Sequence, residues 1–267
     1  MTAWLVLACA SAPGLDPEGR CHEEGPTLSC EHQVLELHPG LVARQVLWQV
    51  PLGEAPAEGW PVALLFQGAE ASAELFWRTP GTRTGSAWTS TRITQTLLDK
   101  GFAVITPKAR GRGWGAWDTN LPGHAQDWEG APDHLLMLDL LDAIEQGDFG
   151  DLDPDRLFAG GISSGGYMSS RVGTEYPGCF QALFIHSGSW RSCAGAFCAL
   201  PEELPGDHPP TMFQHGEWDT VVPMRTAERY HQALDDAGVD TLFLAEPRLG
   251  HNWAADAPEA MLSWFGS

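Results

Sequence analysis

The chain has 267 residues, with 15 Lys and Arg against 35 Asp and Glu, for a formal charge of −20. A hydrophobic fraction of 43% supports a sizeable core, and the length suits one α/β or all-β domain. Such acidity argues against nucleic acid, whose phosphates are met by clustered Lys and Arg, and against docking onto anionic lipid. The 12 Trp against only 3 Tyr are unusual, and that much indole in an acidic chain belongs in a core or at an apolar binding surface.

From the N-terminus, residues 1–20 read as the remnant of an export signal. Met1 to Ala10 is apolar but short and lacks a basic start. Val6-Leu7-Ala8-Cys9 resembles a lipoprotein cleavage box, which would make Cys9 a lipid anchor; the alternative is a signal-peptide tail with an incidental cysteine. No apolar run approaches the roughly 20 residues of a membrane-spanning helix. Residues 21–267 hold no internal repeat or low-complexity linker and are expected to form a single catalytic domain, acting as a monomer. In an exported protein the close pairs Cys21 with Cys30 and Cys193 with Cys198 read as local disulfides, leaving Cys179 as a free, buried thiol. A zinc site on Cys21-His22 and Cys30-Glu31-His32 is the alternative, without the Cys-x-x-Cys spacing of structural zinc.

Arg44 to Val50 reads as a strand, and Pro61 to Phe66 as a buried one. Ala87 to Lys100 has helical spacing and Gly101 stops it. Phe102 to Thr106 is the next strand. Residues 107–131 form a long aperiodic stretch rich in Gly and Trp, and a loop of that length inside a compact domain is usually functional. A helix is expected over His134 to Gln146, with Leu135, Leu138, Leu141 and Ile144 in register. Leu157 to Gly161 reads as a strand that runs into a Gly/Ser turn and a helix ending at Tyr176. Strands at Ala182 to Ile185, Thr211 to His215 and Thr241 to Leu244 follow, with helices at Thr226 to Ala237 and Pro258 to Phe265. Strands alternating with helices imply an α/β fold, a mostly parallel sheet covered on both faces.

The strongest chemical signal is Gly161-Ile162-Ser163-Ser164-Gly165. It follows an apolar strand and opens a helix, the setting of a nucleophile elbow. Ser163 is therefore the expected nucleophile, with the backbone N–H of Ser164 as one oxyanion donor. Ser164 cannot take the nucleophile's place, because Ile162 stands where its upstream glycine would be needed. A serine hydroxyl needs a base and an orienting acid, which in this arrangement follow in the order Ser, Asp, His on loops after later strands. Asp219, just after the strand 211–215, fills the acid position, and His251, before the last helix, fills the base position. His215 and His186 read as structural histidines at strand ends; Glu217 and Asp256 read as solvated loop carboxylates. The second oxyanion donor is expected in the turn Gln67-Gly68-Ala69, at the N–H of Ala69, with Gln67 and Gly68 touching substrate. Asp148 to Asp155 is acidic but lacks the order of a calcium loop and reads as solvated. No metal or cofactor is expected, since no HExxH, P-loop or dinucleotide fingerprint occurs.

Several segments together resemble the extracellular medium-chain-length polyhydroxyalkanoate depolymerases and similar esterases. They are Phe66-Gln-Gly-Ala69, Ala103-Val-Ile-Thr-Pro107, Trp117-Asp-Thr-Asn120, Gly161 to Met168, Asp207-His-Pro-Pro210, His215-Gly216 to Asp219 and Gly250-His251. The resemblance covers most of the chain after Gln45. It implies an α/β-hydrolase fold without a large separate lid domain, the triad Ser163–Asp219–His251, secretion or a cell-surface location, and hydrolysis of a water-insoluble aliphatic polyester. An aromatic polyester, cutin or soluble acyl ester on the same triad is the alternative substrate, and a binding protein on a catalytically dead scaffold the alternative class. Tryptophans fit a greasy substrate, since loops at the carboxyl ends of parallel strands form the binding face. Trp190, Trp218 and Trp253 are expected beside the triad, and Trp114, Trp117 and Trp128 in the long loop, with core packing as the alternative for each. Asn120 is expected to orient substrate, support the oxyanion site or stabilise a turn.

Overall fold

The computed structural model describes residues 19–40, 42–110, 115–193, 199–202 and 204–267. The chain opens with a hairpin, β1 (Cys21–Glu24) and β2 (Thr27–Cys30), whose register places Cys21 opposite Cys30. These two cysteines form a disulfide, so neither thiolate is available to a metal and the zinc alternative falls.

Eight further strands build one sheet: β3 (Gln33–Leu37), β4 (Arg44–Gln49), β5 (Trp60–Phe66), β6 (Ala103–Pro107), β7 (Leu152–Ile162), β8 (Phe180–His186), β9 (Thr211–Gly216) and β10 (Thr241–Glu246). Their order is β10-β9-β8-β7-β5-β6-β4-β3. Pairing is parallel from β10 to β6, and β4 and β3 add an antiparallel edge. The sequence signals neither β3 nor the hairpin, because these strands are short, polar and half exposed.

Alternation along β5 divides the core between two faces, as the period of a strand requires. Val62, Leu64 and Phe66 pack with α2 (Pro132–Glu145) and α3 (Ser164–Glu175), through Leu136, Leu140, Met168 and Val172. Ala63 and Leu65 pack on the other face with α1 (Gly85–Asp99) and α5 (Ala257–Phe265), through Ile93, Leu97, Met261 and Phe265. The remaining α-helix, α4 (Met224–Asp236), seats Ala227, Tyr230 and Leu234 against Ile185 and Phe213. This is the α/β-hydrolase architecture. Among the described residues, no helix is long and apolar enough to cross a membrane.

In one helix the leucines in register do not mark the face that turns inward. In α2 the buried residues are Leu136, Met137, Leu140, Ala143 and Ile144, while Leu135 and Leu138 are exposed. Two stripes with helical spacing coexist in this leucine-rich segment. The choice is made by Asp133, whose buried carboxylate meets Arg44 at 2.9 Å and the backbone N–H of Asp118 at 2.7 Å. Turning Asp133 inward carries Leu136, Met137 and Leu140 with it.

Candidate active site

A tight turn joins β7 to α3. Ser163 sits there at φ 56° and ψ −123°, a region that non-glycine residues occupy only under constraint. The flanking glycines explain how the turn closes. A Cβ on Gly165 would lie 1.9 Å from the Phe66 carbonyl oxygen, and one on Gly161 would lie 2.6 Å from the Gly165 backbone. No side chain fits at either place. Ser163 N–H donates to His186 O at 2.9 Å, and Ser163 O accepts from Tyr167 N–H at 3.0 Å. The strained residue is thus held from both sides, at the carboxyl end of the sheet.

Asp219 follows β9 and His251 follows β10, whose parallel pairing brings the two loops side by side. His251 Nδ1 donates to Asp219 Oδ2 at 2.7 Å, so the proton stays on Nδ1 and the Nε2 lone pair is free. Asp219 Oδ1 accepts the N–H groups of Val221 and Val222, each at 2.9 Å. Burial pushes the Asp219 carboxyl up, but hydrogen bonds from His215, His251 and the Val222 N–H outweigh it and hold the carboxyl well below the usual carboxylate range. It is a stable anion, suited to orienting an imidazole and stabilising its charged form.

Two buried histidines surround this pair. His215 Nε2 donates to Val222 O at 2.9 Å and lies 3.3 Å from Asp219 Oδ2. It is more than the strand-end histidine the sequence suggests, because it braces both the acid and the loop that carries it. His186 Nε2 accepts from Ala254 N–H at 3.0 Å, which leaves its proton on Nδ1, facing Ser187 Oγ. Burial, with His215 and His251 nearby, pushes His186 down to about 3, so it stays neutral.

Ser163 and His251 open into one pocket of about 160 Å³, shared with Gln67, Gly68 and Ala69. Its apolar surface comes from Leu75, Phe76, Ile162 and Trp253, and Ser86 and Ser90 of α1 add hydroxyls. None of Leu75, Phe76, Ser86 or Ser90 carries a sequence signal, because nothing local to these residues refers to a serine some 80 positions away. The 67–71 turn is closed by Gln67 Nε2 donating to Ala71 O at 2.6 Å.

The tryptophans separate into distinct roles. Trp253 lines the pocket and is locked, with its Nε1 donating to Ser90 Oγ at 3.0 Å and its ring 4.8 Å from that of His186. Trp218 is 61% exposed beside Asp219, with Val221 equally bare at 60%. Trp190, expected beside the triad, is instead buried, packs edge-on against Tyr230 at 5.1 Å, and does not line the pocket that Ser163 and His251 share. The turn after β8 folds it inward against α4. Trp117 and Trp128 are likewise interior, and Trp114 lies outside the described residues. Asn120 does not line the pocket; its Oδ1 accepts from Ser164 Oγ at 2.7 Å. Cys193 is disulfide-bonded, while Cys198 and Cys9 lie outside the described residues. Cys179 is a free thiol but half-buried rather than buried.

A sequence model of the Prolyl oligopeptidase family (Peptidase_S9) matches residues 88–193 and 199–266. Across 98% of its length and 96% of the relative's, the chain is 41% identical to a poly(3-hydroxyoctanoate) depolymerase of Pseudomonas fluorescens. The chain belongs to this depolymerase's family and to the prolyl oligopeptidase family. Solved structures of low identity share its fold. A Bacillus cereus carboxylesterase superposes with a TM-score of 0.61 at 16% identity, over 84% of this chain and 93% of that one. A truncated carbohydrate esterase from gut microbiota gives 0.62 at 17% identity, over 89% and 96%.

Proposed function

We propose that the protein is an exported serine esterase that cleaves a water-insoluble aliphatic polyester bearing medium-length alkyl side chains. The observation that carries this reading is the narrow, largely apolar pocket into which Ser163 and His251 both open, with Asp219 bonded behind His251. In the first step Ser163 Oγ attacks the ester carbonyl and His251 Nε2 takes its proton. The N–H groups of Ser164 and Ala69 receive the oxyanion, and Asp219 stabilises the imidazolium. The alkoxide leaving group takes the proton from His251 as the acyl-enzyme forms. Water, deprotonated by His251, then releases the hydroxy acid or oligomer and restores Ser163.

Pocket size supports the alkyl side chain. An apolar cavity of about 150 Å³ holds one benzene, so about 160 Å³ suits a single group of similar bulk. The pentyl branch of a 3-hydroxyoctanoate unit is such a group. Trp218 and Val221 offer apolar contact to a neutral polymer at the rim, which suits a chain of charge −20 better than electrostatic attraction would. The Cys21–Cys30 disulfide supports an oxidising, extracytoplasmic location. The strong net charge opposes self-association and supports a monomer. One continuous sheet, with strands drawn from residues 33 to 246, supports a single catalytic domain.

The test compares release of soluble acids from films of medium-chain polyhydroxyalkanoate, short-chain polyhydroxyalkanoate and an aromatic polyester. The expected order places the medium-chain film first by at least tenfold. Faster release from the aromatic film would overturn the substrate assignment. Failure of a fluorophosphonate probe to label Ser163 would overturn the serine-hydrolase assignment.

A further inference from the structure

One segment of the long loop, Trp117–Asn120, reaches both sides of the oxyanion site. Trp117 Nε1 donates to the carbonyl of Gln67 at 2.9 Å, at the head of the turn that carries Ala69. Its ring meets Phe66, the last residue of β5, edge-on at 5.2 Å. The backbone N–H of the same residue donates to Ser164 Oγ at 3.0 Å, and Ser164 Oγ donates onward to Asn120 Oδ1 at 2.7 Å. The side chain of Ser164 is therefore pinned by two bonds from one segment, and the 67–71 turn by a third.

The segment is itself anchored. Asp118 Oδ2 accepts from Asp133 N–H at 2.9 Å while Asp133 Oδ2 accepts from Asp118 N–H at 2.7 Å. Arg110 and Arg44 neutralise the two carboxylates, at 2.8 and 2.9 Å. Thr119 Oγ1 donates to Arg191 O at 2.5 Å and accepts from Arg171 Nε at 3.1 Å. Trp117, Asp118 and Thr119 are all fully buried.

We propose that Trp117 and Asn120 are positioning residues that hold the two oxyanion donors, the N–H groups of Ala69 and Ser164, at a fixed separation. This rests on the ester-hydrolase reading. The donors come from two elements, the β5 turn and the start of α3, and an oxyanion hole works only if both N–H groups already point at the place where charge develops. Trp117 bridges the two elements through one side-chain bond and one main-chain bond. Asn120 fixes the Ser164 side chain and with it the orientation of the first turn of α3.

The test uses W117F, which keeps the edge contact with Phe66 and loses the indole N–H, together with N120A, S164A and the double variant N120A/S164A. Losing an entire oxyanion donor costs about 10²–10³ in kcat; misplacing one is expected to cost roughly 10–100-fold. On a soluble octanoyl ester, W117F and N120A are expected to lower kcat by that factor with KM within about twofold. An alkyl boronic acid, which mimics the tetrahedral oxyanion, is expected to bind more weakly by a similar factor. The acid limb of the pH–rate profile is expected to stay in place, because the His251–Asp219 pair lies on other loops. N120A/S164A is expected to be no slower than S164A alone, since S164A already removes the bond that N120A breaks. Unchanged kcat in W117F and N120A, a loss confined to KM, or additive losses in the double variant would each overturn the clamp. S163A separates this outcome from failure of the esterase reading. If S163A is inactive while the other variants match wild type, only the clamp falls. If S163A turns over normally, the esterase reading falls, and the clamp with it.

Discussion

His251 Nδ1 and Asp219 Oδ2 are 2.7 Å apart, and the same carboxylate oxygen lies 3.3 Å from His215 Nε2. A single buried anion thus serves a partly exposed imidazole on one side and a fully buried one on the other. The first imidazole is free to exchange protons with solvent and substrate. The second is tied to Val222 O and holds the acid in place.

Replacing Asp219 with Asn keeps the shape but can present an N–H to His251, which favours the tautomer with its proton on Nε2. That tautomer cannot accept the proton of Ser163. The expected result is a fall in kcat of about 10³–10⁴ with little change in KM. Stopped assays on a soluble octanoyl ester measure it, and activity within tenfold of wild type would exclude the proposed role.

For His215→Phe the prediction concerns stability as well as rate. The change leaves the Val222 carbonyl without its partner at 2.9 Å. An unsatisfied buried acceptor costs about 1–3 kcal/mol, readable as a lower midpoint in urea at unchanged slope. A rate loss of roughly tenfold is expected alongside it, smaller than for Asp219→Asn, because Asp219 keeps the bonds from His251, Val221 and Val222.

The elbow glycines should tolerate nothing larger. Gly165→Ala would drive a Cβ to 1.9 Å from the Phe66 carbonyl oxygen, where only movement of β5 or α3 relieves the clash. A loss above about 4 kcal/mol, or failure to fold, is expected. Gly147→Ala is the control: it has φ +80° but meets open space, so only the left-handed penalty of about 1–2 kcal/mol applies. Thermal unfolding of both variants checks the contrast.

Chain-length preference should respond to Leu75. Leu75→Trp fills part of the pocket of about 160 Å³ that it lines with Phe76 and Trp253. Relative to wild type, kcat/KM for octanoyl esters is expected to drop at least tenfold while acetyl esters change by less than threefold. An equal loss on both would show that the acyl chain does not enter this pocket.

Acid should weaken the fold well before the carboxylates titrate. Burial lowers His186 from 6.5 to about 3 and His208 from 6.5 to about 4. Both are neutral in the folded protein between those values and 6.5, whereas the unfolded chain protonates them. Falling pH therefore favours unfolding, and stability present above pH 6.5 is lost as pH drops toward the folded values. At about 1.4 kcal/mol per pH unit for each group, and about two pH units each below pH 6.5, the two together contribute a loss of about 5 kcal/mol between pH 7 and 4.5. Urea unfolding at those two pH values measures it, and equal stability at both would contradict it.

Local sequence carried the parts of this protein whose physics is local. The glycines around Ser163 are demanded by a turn too tight for a Cβ, and the strand–helix alternation follows from hydrophobic period, so both were legible without coordinates. The spacing of Asp219 and His251 behind the last strands was legible because parallel strands place successive loops at the same end of the sheet. Other features depend on residues far apart in the chain meeting in space. The face that α2 buries was decided by Asp133 finding Asp118 and Arg44, which no hydrophobic pattern encodes. Trp190 and Trp253 both sit in loops at the carboxyl end of the sheet, yet one packs against α4 and the other lines the pocket, because neighbours from distant elements offered one a core and the other a cleft. The sequence alone therefore determined the hydrolase fold and named Ser163, Asp219 and His251 as its candidate centre. The pocket's shape, the bracing of Asp219 by His215 and the reach of Trp117 to both Gln67 and Ser164 were decided only by tertiary packing, since each is a contact between segments that have no local reason to know of one another.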